Sequence, residues 1–219
     1  MSKSRFAISI AVAAFLVATP AMGQLVNFPV VALAPGDADG VNAVSGGWAR
    51  GLNDQSGKAN AIGAAFVRGT EMVSFGISGG YVMSGLDEVT LAGSVAYHLP
   101  IADAPVGVSI QTGIGWINTA TSVLNFPVGV ALQGSTEAGS MMVTPWVMPR
   151  VHFTRVGSVG AFPSSTATDF GASAGAGVAT EGGFGFGVAL DLMIQDDIAV
   201  PADNASSIGF LVYASYMLP

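Results

Sequence analysis

Apolar and polar or small residues alternate along most of this chain with a period of two. Phe184, Phe186, Val188, Leu190, Leu192 and Ile194 share one face of a segment whose other face is Gly185, Gly187, Ala189, Asp191, Met193 and Gln195. The same division recurs across residues 89–99 and 106–116. Near the C-terminus, Ile208, Phe210, Val212, Ala214, Tyr216 and Leu218 alternate with Gly209, Leu211, Tyr213, Ser215 and Met217. Successive side chains of a strand point to opposite faces, whereas a helix would scatter positions i, i+2 and i+4 around its axis. The bulky apolar face and the small or polar face fit a barrel wall with hydrocarbon outside and a lumen inside.

This pattern lays out ten candidate strands, at 41–51, 59–68, 72–83, 89–101, 106–118, 126–135, 141–156, 168–180, 184–196 and 207–218. Most have the ~9–11 residues that a tilted membrane strand needs. The first alternates least clearly and carries Arg50, so eight strands is the alternative count. The expected fold class is all-β, a closed antiparallel transmembrane β-barrel in one domain, residues 41–219, preceded by an N-terminal segment, 24–40. Connections 69–71, 102–105, 136–140 and 181–183 are short. On the opposite side 52–58, 119–125, 157–167 and 197–206 are longer, and only 84–88 is short. Bacterial barrels have short periplasmic turns and longer outer loops, which orients 157–167 and 197–206 outward.

Aromatic residues on the apolar face divide the same way. Phe66, Phe75, Tyr97, Phe184, Phe186 and Tyr216 fall near the short-turn end, and Tyr81, Trp116, Phe126, Phe153, Phe170 and Phe210 near the other. Two such belts are what amphipathic rings form at membrane interfaces. Of the 14 acidic residues, only Asp191 lies well inside a candidate strand.

The N-terminus reads as a targeting segment. Lys3 and Arg5 precede an apolar run over 6–17, and Ala21 and Gly23 supply small residues for cleavage before Gln24. Residues 1–23 are therefore expected to be a cleaved signal peptide; the run is shorter than the ~18 residues of a spanning helix. Removing Lys3 and Arg5 leaves 5 basic against 14 acidic residues, which disfavours nucleic acid as a partner. The absence of Cys excludes disulfides, thiolate chemistry and Cys-ligated metal. Gly is abundant, 30 of 219, and charged residues are only 10%, too apolar a balance for a disordered secreted chain.

Candidate chemistry is sparse. His98 and His152 point inward near opposite ends of the barrel, too far apart for a shared metal or a Ser-His-acid set, and each reads as a polar lumen residue. The Gly-rich stretches 171–177 and 182–187 lack the strand–turn–helix context of a phosphate loop and read as small lumen filler. Asp37 and Asp39 suggest a calcium loop, but Trp48 stands where the bidentate acid belongs, so a turn is expected. Asn204-Ala-Ser206 matches a glycosylation acceptor, expected to be idle. One constellation stands out: Thr144, Trp146, Met148, Arg150, His152 and Thr154 share the inward face of 141–156. Arg150 and His152 are expected to form a lumen polar cluster with Asp191 and Gln195, Arg150 pairing with Asp191, because a charge facing lipid is costly. No catalytic residue, metal site or cofactor is expected.

The signal segment, the alternating Gly-rich strands and the terminal strand 208–218 resemble the small Gram-negative outer-membrane β-barrel proteins, the broad group that includes the OmpA-type barrel domains. Members usually end on an outward aromatic residue read by the barrel-assembly machinery; here the last positions are Tyr216, Met217, Leu218 and Pro219. The resemblance implies an outer-membrane location, outer-membrane lipid and lipopolysaccharide as surroundings, and the assembly machinery as a partner in biogenesis. The group is functionally mixed. A structural or surface-binding role through the outer loops is the expected function, a small weakly selective porin the alternative, and enzymatic activity a distant third.

Overall fold

The computed structural model describes residues 42–52, 58–70, 72–83, 88–101, 106–118, 122–158, 164–194 and 206–218. The expected signal peptide, the segment 24–40 and Gln195 lie outside the described residues. The elements are β1 (Asn42–Gly51), β2 (Asn60–Gly69), β3 (Val73–Met83), β4 (Glu88–Leu99), β5 (Val106–Asn118), β6 (Ser122–Gly134), β7 (Thr136–Ala138), β8 (Met141–Val156), β9 (Ser165–Thr180), β10 (Phe184–Ile194) and β11 (Ser206–Leu218). Each long strand pairs antiparallel with its sequence neighbour, β1 pairs with β11, and β6 pairs with β8. The sheet is closed, with ten staves. Three-residue β7 extends the β6 side of the hairpin into β8.

The weakly patterned first strand is the closing stave. Its register runs from Asn42↔Leu218 to Gly51↔Gly209 on one side and from Asn42↔Arg68 to Arg50↔Asn60 on the other. Its inward residues Ala43, Ser45, Gly47 and Ala49 are all small. Gly47 is required here: a Cβ would come within 2.6 Å of the Val212 carbonyl oxygen. Tight turns use glycine where the backbone turns left-handed, at Gly139 (φ 66°) before β8 and Gly183 (φ 84°) before β10.

Two strands begin earlier than the alternation indicates. β6 starts at Ser122, inside the expected 119–125 loop; β9 starts at Ser165 rather than 168. The length contrast between the two ends is correspondingly weaker. Ser, Asn and Asp are poor strand formers in isolation, but at these positions barrel pairing recruits them.

Burial is inverted relative to a water-soluble domain. Ile77 is 64% exposed, Phe170 and Phe186 60% each, while Arg150 (4%) and Asp191 (1%) are buried inside. Apolar side chains cover the outside as a continuous band, far beyond the patches a soluble monomer exposes. Aromatic residues flank it; at the turn end the Phe184 and Tyr216 rings meet at 4.7 Å, tilted by 42°. With the ladders closed into a ring, the ten staves present no free sheet edge to hydrocarbon. The molecule is a transmembrane β-barrel of the outer-membrane type.

Candidate functional site

Register brings the lumen cluster together. Arg150 of β8 faces Gly171 of β9, and Ser173, two residues on, faces Asp191 of β10. The arginine therefore crosses a whole strand. Gly171 leaves the path open, since a Cβ there would lie 2.6 Å from Met193 Sδ and 3.5 Å from Arg150 Cζ.

The guanidinium is used on three sides. Arg150 Nη2 donates to Asp191 Oδ1 at 2.5 Å, Nη1 donates to Ser173 Oγ, and Nε donates to His152 Nε2 at 2.5 Å. Ser173 Oγ donates in turn to Asp191 Oδ1 at 2.7 Å. His152 accepts on Nε2, so its ring proton sits on Nδ1. Asp191 Oδ2 has no hydrogen-bond partner among the described residues. Such an ion pair is viable only because several hydrogen bonds offset the desolvation of both charges.

Above this network, towards the loop end, Thr154 Oγ1 donates to Asn125 Oδ1 at 2.7 Å and lies 3.4 Å from Asp169 Oδ2. Below it, Trp146, Met148, Leu211 and Tyr213 form an apolar cluster with small residues such as Ala49, Ala61 and Ala131. Two large rings occupy the space that glycine leaves: a Cβ on Gly175 would meet Trp146 Cζ2 at 2.7 Å, and one on Gly187 would overlap the Tyr213 ring. Glycine in the strand faces thus serves close packing of large neighbours. At the turn end His98 Nε2 and Ser74 Oγ are hydrogen-bonded at 2.8 Å. The two histidines belong to separate clusters, one at each end.

Sequence reasoning did not single out Ser173, Asn125 and Asp169. Ser173 stands among Gly and Ala and reads as filler; parity marks it as inward, but only the register sets it opposite Asp191. Asn125 falls in the expected 119–125 loop and Asp169 at the expected start of the 168–180 strand. Among the described residues no group of three or more His, Cys, Asp or Glu is arranged to hold a metal.

No family model matches this chain, and no curated protein matches it. Several solved structures are similar in form. The NanC porin is 11% identical, with a TM-score of 0.48 over 81% of this chain and 100% of that one. A bacterial polysaccharide outer membrane secretin is 9% identical, with a TM-score of 0.45 over 81% of this chain, which spans 66% of the secretin. The outer membrane enzyme PagL is 11% identical, with a TM-score of 0.42 over 80% of this chain and 98% of that one. A porin, a secretin and an enzyme differ in what they do, and the likeness is one of barrel form alone.

Proposed function

We propose that this protein is a structural or surface-binding barrel of the Gram-negative outer membrane, closed to solutes and acting through its loop end on lipopolysaccharide or neighbouring surfaces. The observation that carries this reading is the filled lumen: Arg150, His152, Ser173 and Asp191 bridge β8, β9 and β10, with Trp146, Met148, Leu211 and Tyr213 beneath them. Barrels of small strand number fill their interiors with side chains in this way. The role proposed for the cluster is that of a plug.

A narrow channel is the second reading, favoured by one observation. On the β3–β4 wall the inward Ser78, Ala92 and Ser94 are small and only partly buried, so a thin aqueous path could follow that side. Liposome swelling separates the two. Vesicles carrying the folded protein should shrink and stay shrunken in arabinose or glycine; re-swelling above the protein-free rate would establish the channel.

A further inference from the structure

On the lipid-facing wall bulky residues give way to small ones at the start of one cross-strand row. It passes through Ala64 of β2 and Gly79 of β3, then Leu91, Trp116, Leu124 and Arg155 on β4, β5, β6 and β8. Gly93 lies beside it, paired with Ile77 and Ile114. The small residues leave an open apolar groove of about 580 Å³, with Ala64, Gly79 and Gly93 as its floor and Phe66, Trp116 and Leu124 on its rim. The space above Gly93 is unfilled: a Cβ there would meet only the Gly76 carbonyl oxygen, at 4.0 Å.

The row climbs towards the loop end. Ala64 lies in the middle of β2, whereas Arg155 is the next-to-last residue of β8. Leu124, on the groove's rim, is the direct ladder partner of Arg155, about 4.8 Å away by ordinary strand spacing. Arg155 is exposed on the outward face and, among the described residues, has no hydrogen bond or ion pair. Trp116, on the other side of Leu124, donates its indole N–H to Ser122 Oγ at 2.7 Å, the posture of a ring anchored at a membrane interface. An apolar groove thus ends beside an exposed guanidinium in the interfacial layer.

We propose that this groove and Arg155 together hold one phosphorylated acyl lipid of the outer leaflet, of the lipid A type. An acyl chain lies over Gly79 and Gly93, and a phosphate is held by the Arg155 guanidinium. Local charge complementarity selects this occupant, against the acidic balance of the whole chain, 14 acidic to 7 basic residues: the exposed Arg155 stands at the groove's upper end, and arginine is matched to phosphate by its fork of donors. The hydrocarbon around the wall supplies the acyl chain. The site rests on the loop-outward orientation of the proposed function, which surface labelling at Ser164 reads independently of any lipid.

Native mass spectrometry of the detergent-released barrel tests the site, with bis-phosphorylated lipid A and dioleoylphosphatidylcholine as competing probes. The wild-type barrel should retain one lipid A molecule in preference to phosphatidylcholine. Arg155→Gln should weaken that retention roughly tenfold, through loss of a charge-assisted contact. Gly93→Leu, which fills the groove from outside, should weaken it as well while leaving heat-modifiable mobility unchanged. Wild-type retention in either variant overturns the proposal, since the site needs both parts. A wild-type dimer that Gly93→Leu splits into monomers also overturns it, assigning the groove to a second copy.

Discussion

Arg150 of β8 reaches over Gly171 of β9 to pair with Asp191 of β10, Nη2 to Oδ1 at 2.5 Å. Both side chains are 1% exposed, so removing either strands a buried charge. Arg150→Ala and Asp191→Ala should each cost ~3–5 kcal/mol in urea unfolding from lipid vesicles. The double variant should recover part of that loss, because no lone charge remains. Strictly additive losses would show that the two residues do not act as a pair.

Gly171 should be sensitive as well, though less than the charges it lies beneath. Gly171→Val puts a branched side chain where Met193 Sδ and the Arg150 guanidinium now sit, an overpacking worth ~1–3 kcal/mol. The same unfolding measurement reads it. Gly134→Val, with open space around its Cβ, is the control and should change stability little.

The seam between β1 and β11 should control closure. A side chain at Gly47 would collide with the Val212 carbonyl and Tyr213 Cβ, so Gly47→Val should reduce the fraction of protein that migrates as a compact, heat-modifiable band before boiling. An unchanged compact band would mean that the seam tolerates a bulge there.

Orientation follows from the connections that the described strands leave. The chain has no cysteine, so single replacements are clean reporters. Ser164→Cys, at the end opposite the turns, should react with a membrane-impermeant maleimide on intact cells. Glu181→Cys, in the turn before β10, should react only after lysis. The reverse pattern would invert the barrel.

Much of this architecture is legible in the sequence because a barrel wall separates two solvents. Phe184 to Ile194 alternates without a fault, as each position faces either lipid or lumen. β1 is harder to read: Ala43, Ser45, Gly47 and Ala49 are small because the lumen is crowded there, and small residues give little contrast. The start of β6 was hidden because Ser122 and Asn125 resemble loop residues, yet Asn125 is held inside by Thr154. Pro127 interrupts the β5–β6 ladder, which lacks partners for Gly113 and Ile114, and its missing N–H obscured the strand further. Parity alone places Arg150 and Asp191 on the inward faces of their strands. Ser173 became visible only once register set it opposite Asp191, and register depends on pairings that no single strand encodes.

Planar-bilayer recording tests the closed lumen most directly. The purified, refolded wild-type protein, inserted at one copy per membrane in 1 M KCl as ~1 M salt screens surface charge, should give no steady conductance. The Arg150→Ala/Asp191→Ala double variant should show brief openings where the bridge has been removed. A stable, long-lived conductance from the wild-type barrel would contradict the plug and establish a channel in its place.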